Sequence, residues 1–274
     1  MSVAPASCRL SRGRLALGSA GRGRPPDSRR DGSATVDCTL LIDQMNTYAY
    51  LITAAVSYLL GSIPSGYLLV RIFTGEDVRA SGSGNIGATN VARKSPALGI
   101  ATLILDAAKG LAAVLAARVL FSGPHQQLIM TTAAFFAVLG HLFPVWLKFR
   151  GGKGVATSLG AFILLTPKSV LCMVLLFLVI AVAFRYVSLG SIAVAAAFPL
   201  LAWALHEYVD PRQLGWIALV SALVIWRHRQ NIGRLAAGTE SKLGKEAGSE
   251  SESESESESK SKLEKSGTLG ATRR

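Results

Sequence analysis

Residues 127–157 read QLIMTTAAFFAVLGHLFPVWLKFRGGKGVAT, an apolar run that passes directly into a basic, glycine-rich loop. The apolar part, 127–147, has about the length that an α-helix needs to cross a ~30 Å hydrocarbon core. In the loop, Lys153 lies among Gly151, Gly152 and Gly154. Glycine leaves backbone N–H groups open to an anion and lysine supplies positive charge. The stretch therefore predicts a membrane helix followed by an anion-binding turn, although it lacks the GxxxxGK[ST] spacing of a nucleotide-binding loop.

Further apolar segments lie on both sides of this stretch, in a chain of 274 residues of which 50% are hydrophobic. Most are long enough to span a bilayer as helices. The segment 154–166 is short and ends before Pro167, so we expect it to be half-inserted. The sequence predicts an all-α integral membrane protein, a bundle of about seven transmembrane helices, with approximate limits 47–70, 97–121, 127–147, 154–166, 168–184, 187–206 and 212–227.

The distribution of lysine and arginine predicts the orientation of this bundle. If the first span begins outside, eleven basic residues next to the spans fall on one side, and only Lys168 and Arg212 fall on the other. Basic residues next to spans are retained in the cytoplasm. We therefore expect the N-terminus outside and the C-terminus in the cytoplasm.

The two ends of the chain have compositions typical of disorder. Residues 1–44 are rich in Arg, Ser, Gly and Pro and lack the long apolar run of a signal peptide. Their positive charge opposes the predicted orientation, and Met45 lies directly before the first span, so we expect Met45 to be the natural start. Residues 238–274 include strict Ser/Glu alternation at 249–259. The predicted organisation is a disordered basic extension, a membrane domain over 45–237 and a disordered tail.

The formal net charge of +12 is concentrated in the hydrophobic middle of the chain. Its basic residues form short clusters between apolar runs and not one soluble face, so we do not expect a nucleic-acid partner. The three cysteines have no CxxC spacing and the four histidines no HxxxH spacing, so no disulfide, metal site or cofactor is predicted. Asp106 and Lys109 share a helix face inside the second span, where a structural ion pair is favoured over a direct role in catalysis.

Three clusters rich in small, polar and basic residues lie on the predicted cytoplasmic side. The first, SGSGNIGATNVAR at 81–93, combines turn-forming glycines with the guanidinium of Arg93, which suits phosphate. The second is the loop after residue 147. The third joins RYVSLGS at 185–191 to RHRQNIGRL at 227–235, where His228 and Asn231 share a helix face. Together they predict a phosphate-handling site.

These strings, with GSIPSGYLL at 61–69 and LDAAKG at 105–110, resemble the bacterial acyl-phosphate:glycerol-3-phosphate acyltransferases, the PlsY family, over about residues 45–237. One departure is Gln230, which stands where the last motif of the family usually has an acid. The resemblance implies a multi-pass protein of the bacterial cytoplasmic (inner) membrane, active in phospholipid biosynthesis. It implies transfer of a fatty acyl group from acyl phosphate to the sn-1 hydroxyl of glycerol 3-phosphate, which gives 1-acylglycerol 3-phosphate (lysophosphatidic acid) and phosphate.

The resemblance also implies the residues of the site. Ser83, Arg93, His228 and Asn231 are expected to be catalytic, with Ser83 and Arg93 in contact with phosphate. The expected substrate-binding residues are Asn85, Asn90, Lys148, Gly151, Gly152, Lys153, Gly154, Ser188 and Ser191, and the four from 151 to 154 are expected to cradle a substrate phosphate. The expected partners are the two substrates, membrane lipid and, as a further candidate, the enzyme that produces acyl phosphate.

One alternative stays open at this point. A membrane transporter of phosphate or another anion would also need basic, glycine-rich turns next to spans. The sequence has no HxxxxD pair, which another acyltransferase family uses as its base. Its spans show no obvious inverted repeat, and its basic motifs face one side of the membrane, unlike the midplane sites of transporters. An acyltransferase is therefore favoured over a transporter.

Overall fold

The computed structural model describes the backbone of residues 28–243 and the side chains of residues 44, 45 and 47–243. This part of the chain contains α-helices joined by turns and no β-strand. The helices are α1 (Ser28–Ser62), α2 (Ser65–Thr74), α3 (Ala88–Lys94), α4 (Pro96–Leu120), α5 (Gln126–Leu142), α6 (Val155–Phe162), α7 (Pro167–Phe184), α8 (Val187–Ala204), α9 (Pro211–Arg227) and α10 (Arg229–Ala236).

Within residues 28–243, five helical stretches are long and apolar enough to cross a membrane. They are Thr47–Thr74, Pro96–Leu120, Gln126–Leu147, Pro167–Phe184 and Val187–Ala204, and each matches a predicted span. The other two predicted segments are helical but shorter. Helix α6 has eight residues, about 12 Å of helix, and α9 has 17, about 25 Å. The expected short segment is therefore a helix of two turns, and five of the seven predicted spans meet the length that a crossing needs.

The helix that forms most of the first span, α1, has other limits than the predicted span 47–70. Helix α1 begins at Ser28, so residues 28–44 are helical where their composition predicts disorder. A helix adds one hydrogen bond for each residue it gains, so a formed span can extend into flanking residues of modest propensity. At the other end Pro64 separates α1 from α2, because proline has no N–H to donate. Residues 1–27 and 244–274, which contain the rest of both predicted disordered ends, lie outside the described residues.

The bundle is held together by helix pairs that pack along much of their length. Helix α5 contacts α1, α4 and α9, and α8 lies between α7 and α9. The short α6 packs against α4 so closely that a Cβ atom at Gly160 would lie 1.8 Å from the carbonyl oxygen of Ala107. Small residues at such crossings let helix backbones approach in the absence of a hydrophobic driving force between spans. This contact fixes α6 beside α4 and places the start of α6 at the edge of the site.

The predicted ion pair inside the second span is present. The Lys109 amine lies 2.9 Å from the Asp106 carboxylate and donates to the Ile63 carbonyl at 2.7 Å, and both side chains are buried. His141 of α5 lies 3.6 Å from the same carboxylate oxygen. The pair therefore links α4 to the break after α1 and to α5. A buried charge with these partners avoids the cost that an unpaired charge would have within the membrane.

Candidate active site

A cavity of about 1000 Å³ opens at the end of the bundle where α3, the start of α6 and α10 come together. One part of its wall is polar and comes from α3, the loop before it, Asp106 of α4, His141 of α5, Lys153 and α10. The other part is apolar and comes from α7, α8 and α9. The apolar wall residues are Met173, Val174, Phe177, Val194, Phe198 and Val220. The cavity thus combines hydrogen-bonding and charged groups with a hydrocarbon surface.

The loop before α3 takes its shape from Asn90. The buried Asn90 amide donates to the carbonyls of Val78, Ser81 and Asn85 at 2.9–3.1 Å, and its oxygen accepts from the Ser83 backbone N–H at 2.8 Å. A side chain with this many partners within its own loop acts as a scaffold. Asn90 therefore has a structural role in this loop; it also lies in the cavity wall, and its expected contact with substrate stays a prediction.

This scaffold presents Ser83, Asn85 and Arg93 at the cavity. Asn85 accepts from the Gly87 N–H at 2.9 Å through its side-chain oxygen, which closes a turn just before α3. Arg93 lies in the last turn of α3, is exposed and lines the cavity. Gly82 has φ +59°, and a Cβ atom there would lie 2.3 Å from the Asn90 side-chain oxygen. Glycine at this position therefore permits the turn that brings Ser83 and Arg93 to the same surface.

The loop between α5 and α6 differs from the predicted phosphate cradle. The N–H groups of Gly151 and Gly152 donate to the carbonyls of Leu142 and His141 at 3.2 and 3.0 Å. These carbonyls lie at the end of α5, where a helix leaves its last acceptors unpaired. A Cβ atom at Gly152 would lie 2.0 Å from the His141 ring nitrogen Nε2. The two glycines are thus needed for packing against α5, and their backbone donors are not free for an anion.

Lys148 also differs from its prediction. It is exposed, adopts a left-handed conformation at φ 52° and does not line the cavity. It fits the role of a basic anchor next to the third predicted span. Of the loop residues predicted to bind substrate, Lys153 and Gly154 do reach the cavity.

Arg227 holds this loop in place from the other side. Its guanidinium donates to the Gly152 carbonyl at 3.0 Å and to the Gly151 carbonyl at 2.6 Å. Arginine can do this with two parallel N–H groups, which gives one fixed geometry. The loop is therefore hydrogen-bonded to the end of α5 on one side and to the end of α9 on the other. Lys153 is the next residue in the chain after these two glycines.

A chain of polar contacts crosses the polar end of the cavity. The Lys153 amine donates to the Asn231 side-chain oxygen at 2.6 Å, and the Asn231 amide donates to the Glu240 carboxylate at 2.6 Å. The other Glu240 oxygen accepts from the Arg234 guanidinium at 2.7 Å. Burial lowers the pKa of Lys153 to about 8; Glu240 opposes this, and Arg234, Arg93 and Arg227 add to it. Near pH 7 the amine is therefore charged but close to releasing its proton.

His228 is buried in the cavity wall where α9 ends. Its Nδ1 lies 2.8 Å from the Val224 carbonyl, an acceptor, so Nδ1 holds the proton. Burial lowers the pKa of His228 to about 4, against the influence of that hydrogen bond. The ring is thus neutral near pH 7, and Nε2 is left as a hydrogen-bond acceptor.

Ser188 and Ser191 line the cavity from the first two turns of α8, and both are buried. The Ser191 hydroxyl donates to the Val187 carbonyl at 2.9 Å. The Ser188 hydroxyl lies next to the Glu240 carboxylate, and this contact helps to lower the pKa of Glu240. Because a hydroxyl both donates and accepts, Ser188 can still accept a hydrogen bond from a ligand.

The cavity brings together most of the residues predicted for the site. Ten of the thirteen line it: Ser83, Asn85, Asn90, Arg93, Lys153, Gly154, Ser188, Ser191, His228 and Asn231. The prediction missed Arg234, although it lies three residues after Asn231 on the same helix and could have been assigned to the same face. It also missed Glu240, which falls in the segment predicted as a disordered tail. Gln230, the departure from the family motif, is exposed and does not line the cavity.

The fold and the cavity define a class of protein: a helical membrane protein whose pocket joins a cationic, hydrogen-bonding end to an apolar slot. Comparison with known proteins identifies the family. Residues 51–238 match the model of the family described as glycerol-3-phosphate acyltransferase, and the chain belongs to this family of integral membrane proteins.

Relatives and solved structures agree with this assignment. The chain is 46% identical over 200 residues to the glycerol-3-phosphate acyltransferase of Anaeromyxobacter sp. (strain Fw109-5), covering 72% of this chain and 98% of that protein. It is 48% identical over 194 residues to that of Geobacter sulfurreducens, covering 70% and 96%. A crystal structure of PlsY, an integral membrane glycerol 3-phosphate acyltransferase in its glycerol 3-phosphate form, superposes with a TM-score of 0.66. That match has 37% identity and covers 71% of this chain and 96% of the PlsY chain.

Proposed function

We propose that this protein transfers a fatty acyl group from acyl phosphate to the sn-1 hydroxyl of glycerol 3-phosphate, and releases 1-acylglycerol 3-phosphate and phosphate. The observation that supports this most is the composition of the cavity wall, in which Arg93, Lys153 and Arg234 face an apolar slot formed by α7, α8 and α9. Both substrates carry phosphate and one also carries a long hydrocarbon chain. Family membership supports an acyltransferase over an anion transporter.

The proposed reaction breaks one bond and forms one. The sn-1 oxygen attacks the acyl carbon, the bond from that carbon to the phosphate oxygen breaks, and the hydroxyl proton ends on the departing phosphate. Acyl phosphate is already activated, so the protein has mainly to align the substrates and stabilise negative charge. No covalent bond to the protein is required.

Within this scheme the residues divide by chemistry. Arg93 and Lys153 bind phosphate oxygens, and the Ser83 and Ser188 hydroxyls add hydrogen bonds. The neutral His228 accepts from the attacking hydroxyl through Nε2 and so orients it toward the acyl carbon. Asn231 links Lys153 to Glu240 and holds the amine in place.

We propose that α9 and the short segment around α6 cross the membrane in addition to the five longer spans, which makes seven crossings. The N-terminus then lies outside and the cavity opens to the cytoplasm, in the bacterial inner membrane. Arg118 in the last turn of α4 adds a third cation to the outer side, so the count of basic residues is eleven to three. The bias still favours the cytoplasm for the polar end of the cavity.

A comparison of acyl donors tests this function. Protein purified in detergent is given glycerol 3-phosphate with palmitoyl phosphate, palmitoyl-CoA or a palmitoylated carrier protein, and 1-acylglycerol 3-phosphate is measured by mass spectrometry. We expect product and an equal amount of phosphate with acyl phosphate alone. Product that forms only with a thioester donor would contradict the proposal, and a Lys153→Met variant serves as the control for contaminating activity.

A further inference from the structure

The segment 239–243, here called the strap, follows the last helix and lies beyond residues 51–238 that match the family model. It is attached at both ends. The Thr239 N–H donates to the Arg234 carbonyl at 2.9 Å, and the Leu243 N–H and carbonyl pair with the carbonyl and guanidinium of Arg185 at 2.6 and 2.9 Å. The strap therefore runs from the end of α10 to the turn between α7 and α8. Glu240, Ser241, Lys242 and Leu243 of the strap line the cavity.

Glu240 is the part of the strap that meets the polar end of the cavity. Its side chain is 7% exposed and its two oxygens accept from Asn231 and Arg234. A carboxylate can only accept hydrogen bonds and a lysine ammonium can only donate them. Asn231 lies between Glu240 and Lys153, so only one orientation of its amide satisfies both neighbours. Its NH₂ group must face Glu240, and its oxygen must face Lys153.

We propose that Glu240 is a positioning residue for the acyl transfer reaction: it fixes the amide of Asn231, through which it holds the Lys153 ammonium at the phosphate-binding end of the cavity. This inference rests on the proposed function, because it assigns Lys153 to a substrate phosphate. It adds to the site a residue that lies just after the matched range 51–238. It also gives a function to a segment whose composition alone predicts a disordered tail.

The charges around Lys153 make the proposal measurable. Arg93 of α3, Arg227 of α9 and Arg234 of α10 all oppose protonation of the amine, and so does burial; Glu240 is the carboxylate that favours it. His228 lies nearby and is neutral near pH 7. Two hydrogen bonds of 2.6 Å across one amide keep the carboxylate within about 8 Å of the amine. At that separation, loss of the carboxylate lowers the pKa of Lys153 by roughly 0.4 to 1.5.

The test compares Glu240→Gln with Glu240→Asp, which keeps the charge, and with the control Glu207→Gln. Glu207 accepts from Lys168 and Ser169 at the start of α7 and does not line the cavity. For Glu240→Gln we expect kcat/KM to fall by about tenfold at pH 7, as for loss of one hydrogen bond to a charged group. The pH profile of kcat/KM should fall at high pH as Lys153 loses its proton, and we call this fall the alkaline limb. We expect the alkaline limb of Glu240→Gln to lie at lower pH than that of wild type, by at least about 0.4. In Glu240→Asp the alkaline limb should lie close to its wild-type pH, and in Glu207→Gln it should lie at the wild-type pH.

A second measurement does not depend on turnover. Competitive acetylation of Lys153 at a series of pH values, quantified by mass spectrometry, gives the pKa of the amine in each full-length variant. We expect a lower pKa in Glu240→Gln than in wild type and Glu207→Gln. The pKa of Lys153 tests the role of Glu240 even if wild type shows no activity with acyl phosphate. Such a lack of activity would overturn only the proposed function.

Two results would overturn the positioning role. An unchanged pKa of Lys153 in Glu240→Gln, with reduced activity and an unshifted limb, would show that the carboxylate only stabilises the strap. A lower KM for glycerol 3-phosphate together with an unshifted limb would show that Glu240 instead competes with the substrate phosphate for Arg234 and Asn231.

Discussion

Replacement of Lys153 by arginine should remove the alkaline limb of the pH profile. Lys153 has a pKa of about 8, lowered mainly by burial, so its charged form falls from about nine-tenths of the protein at pH 7 to about one-tenth at pH 9. If a charged Lys153 is needed to bind phosphate, wild-type kcat/KM falls by about tenfold over this range. An arginine keeps its proton throughout, so Lys153→Arg should show a flat profile from pH 7 to 9.

Bound substrate should change the pH at which the rate of the wild-type enzyme falls. The profile of kcat/KM reports groups of the free enzyme and that of kcat reports groups of the enzyme–substrate complex. A bound phosphate dianion favours the ammonium form, so the limb of kcat should lie at higher pH than that of kcat/KM, by about one unit or more. A phosphate monoester loses its second proton near pH 6, so ionisation of glycerol 3-phosphate does not produce a limb at pH 8.

Initial rates at saturating acyl phosphate and varied glycerol 3-phosphate, measured between pH 6.5 and 9.5, provide both profiles. Spontaneous hydrolysis of acyl phosphate is subtracted at each pH. Absolute activity of Lys153→Arg at pH 7 is expected to be lower than wild type, because the larger guanidinium has different geometry. A limb near pH 8 that persists in Lys153→Arg would refute the assignment of this ionisation to Lys153.

Three further substitutions test the scaffold. Gly160→Ala would bring a Cβ atom 1.8 Å from the Ala107 carbonyl oxygen and should lower stability in detergent by at least about 1–3 kcal/mol, measured as a fall in Tm; Gly215→Ala, with nothing within 4 Å, should not lower it. Arg227→Met removes both contacts to the glycine loop and should reduce kcat/KM by about tenfold or more, with a smaller change in Tm. Asn90→Leu leaves several loop carbonyls and one N–H without partners, so the glycerol 3-phosphate KM should rise at least about tenfold, and Asn90→Asp should recover only part of this.

The spans could be predicted because their signal is local. Twenty apolar residues mark a crossing helix whatever the rest of the chain does, and lysine and arginine next to the spans show where the polar loops lie. The same local signal is weaker for α6 and α9, whose helices are shorter, and their crossing stays a prediction. It also fails at Ser28, where α1 begins well before the apolar residues do.

The sequence predicts most of the residues that line the site, but it does not predict their hydrogen-bond partners. Glycines around Lys153 suggest a phosphate cradle, yet the sequence does not show that the N–H groups of Gly151 and Gly152 are used by the end of α5. Asn90 has the residue type of a ligand-binding group, but its partners lie within its own loop. Glu240 was missed because composition assigns its whole segment to a disordered tail. Each of these differences concerns a partner distant in sequence or a local conformation that only the folded chain reveals.

The central claim is that the hydroxyl of glycerol 3-phosphate attacks the acyl carbon of acyl phosphate within this cavity. Acyl phosphate labelled with ¹⁸O at the oxygen that bridges carbon and phosphorus tests it most directly. The claim predicts that the label appears in inorganic phosphate, that 1-acylglycerol 3-phosphate is unlabelled, and that the two products form in equal amounts only when glycerol 3-phosphate is present. Label in free fatty acid, or phosphate release without acylated product, would contradict it.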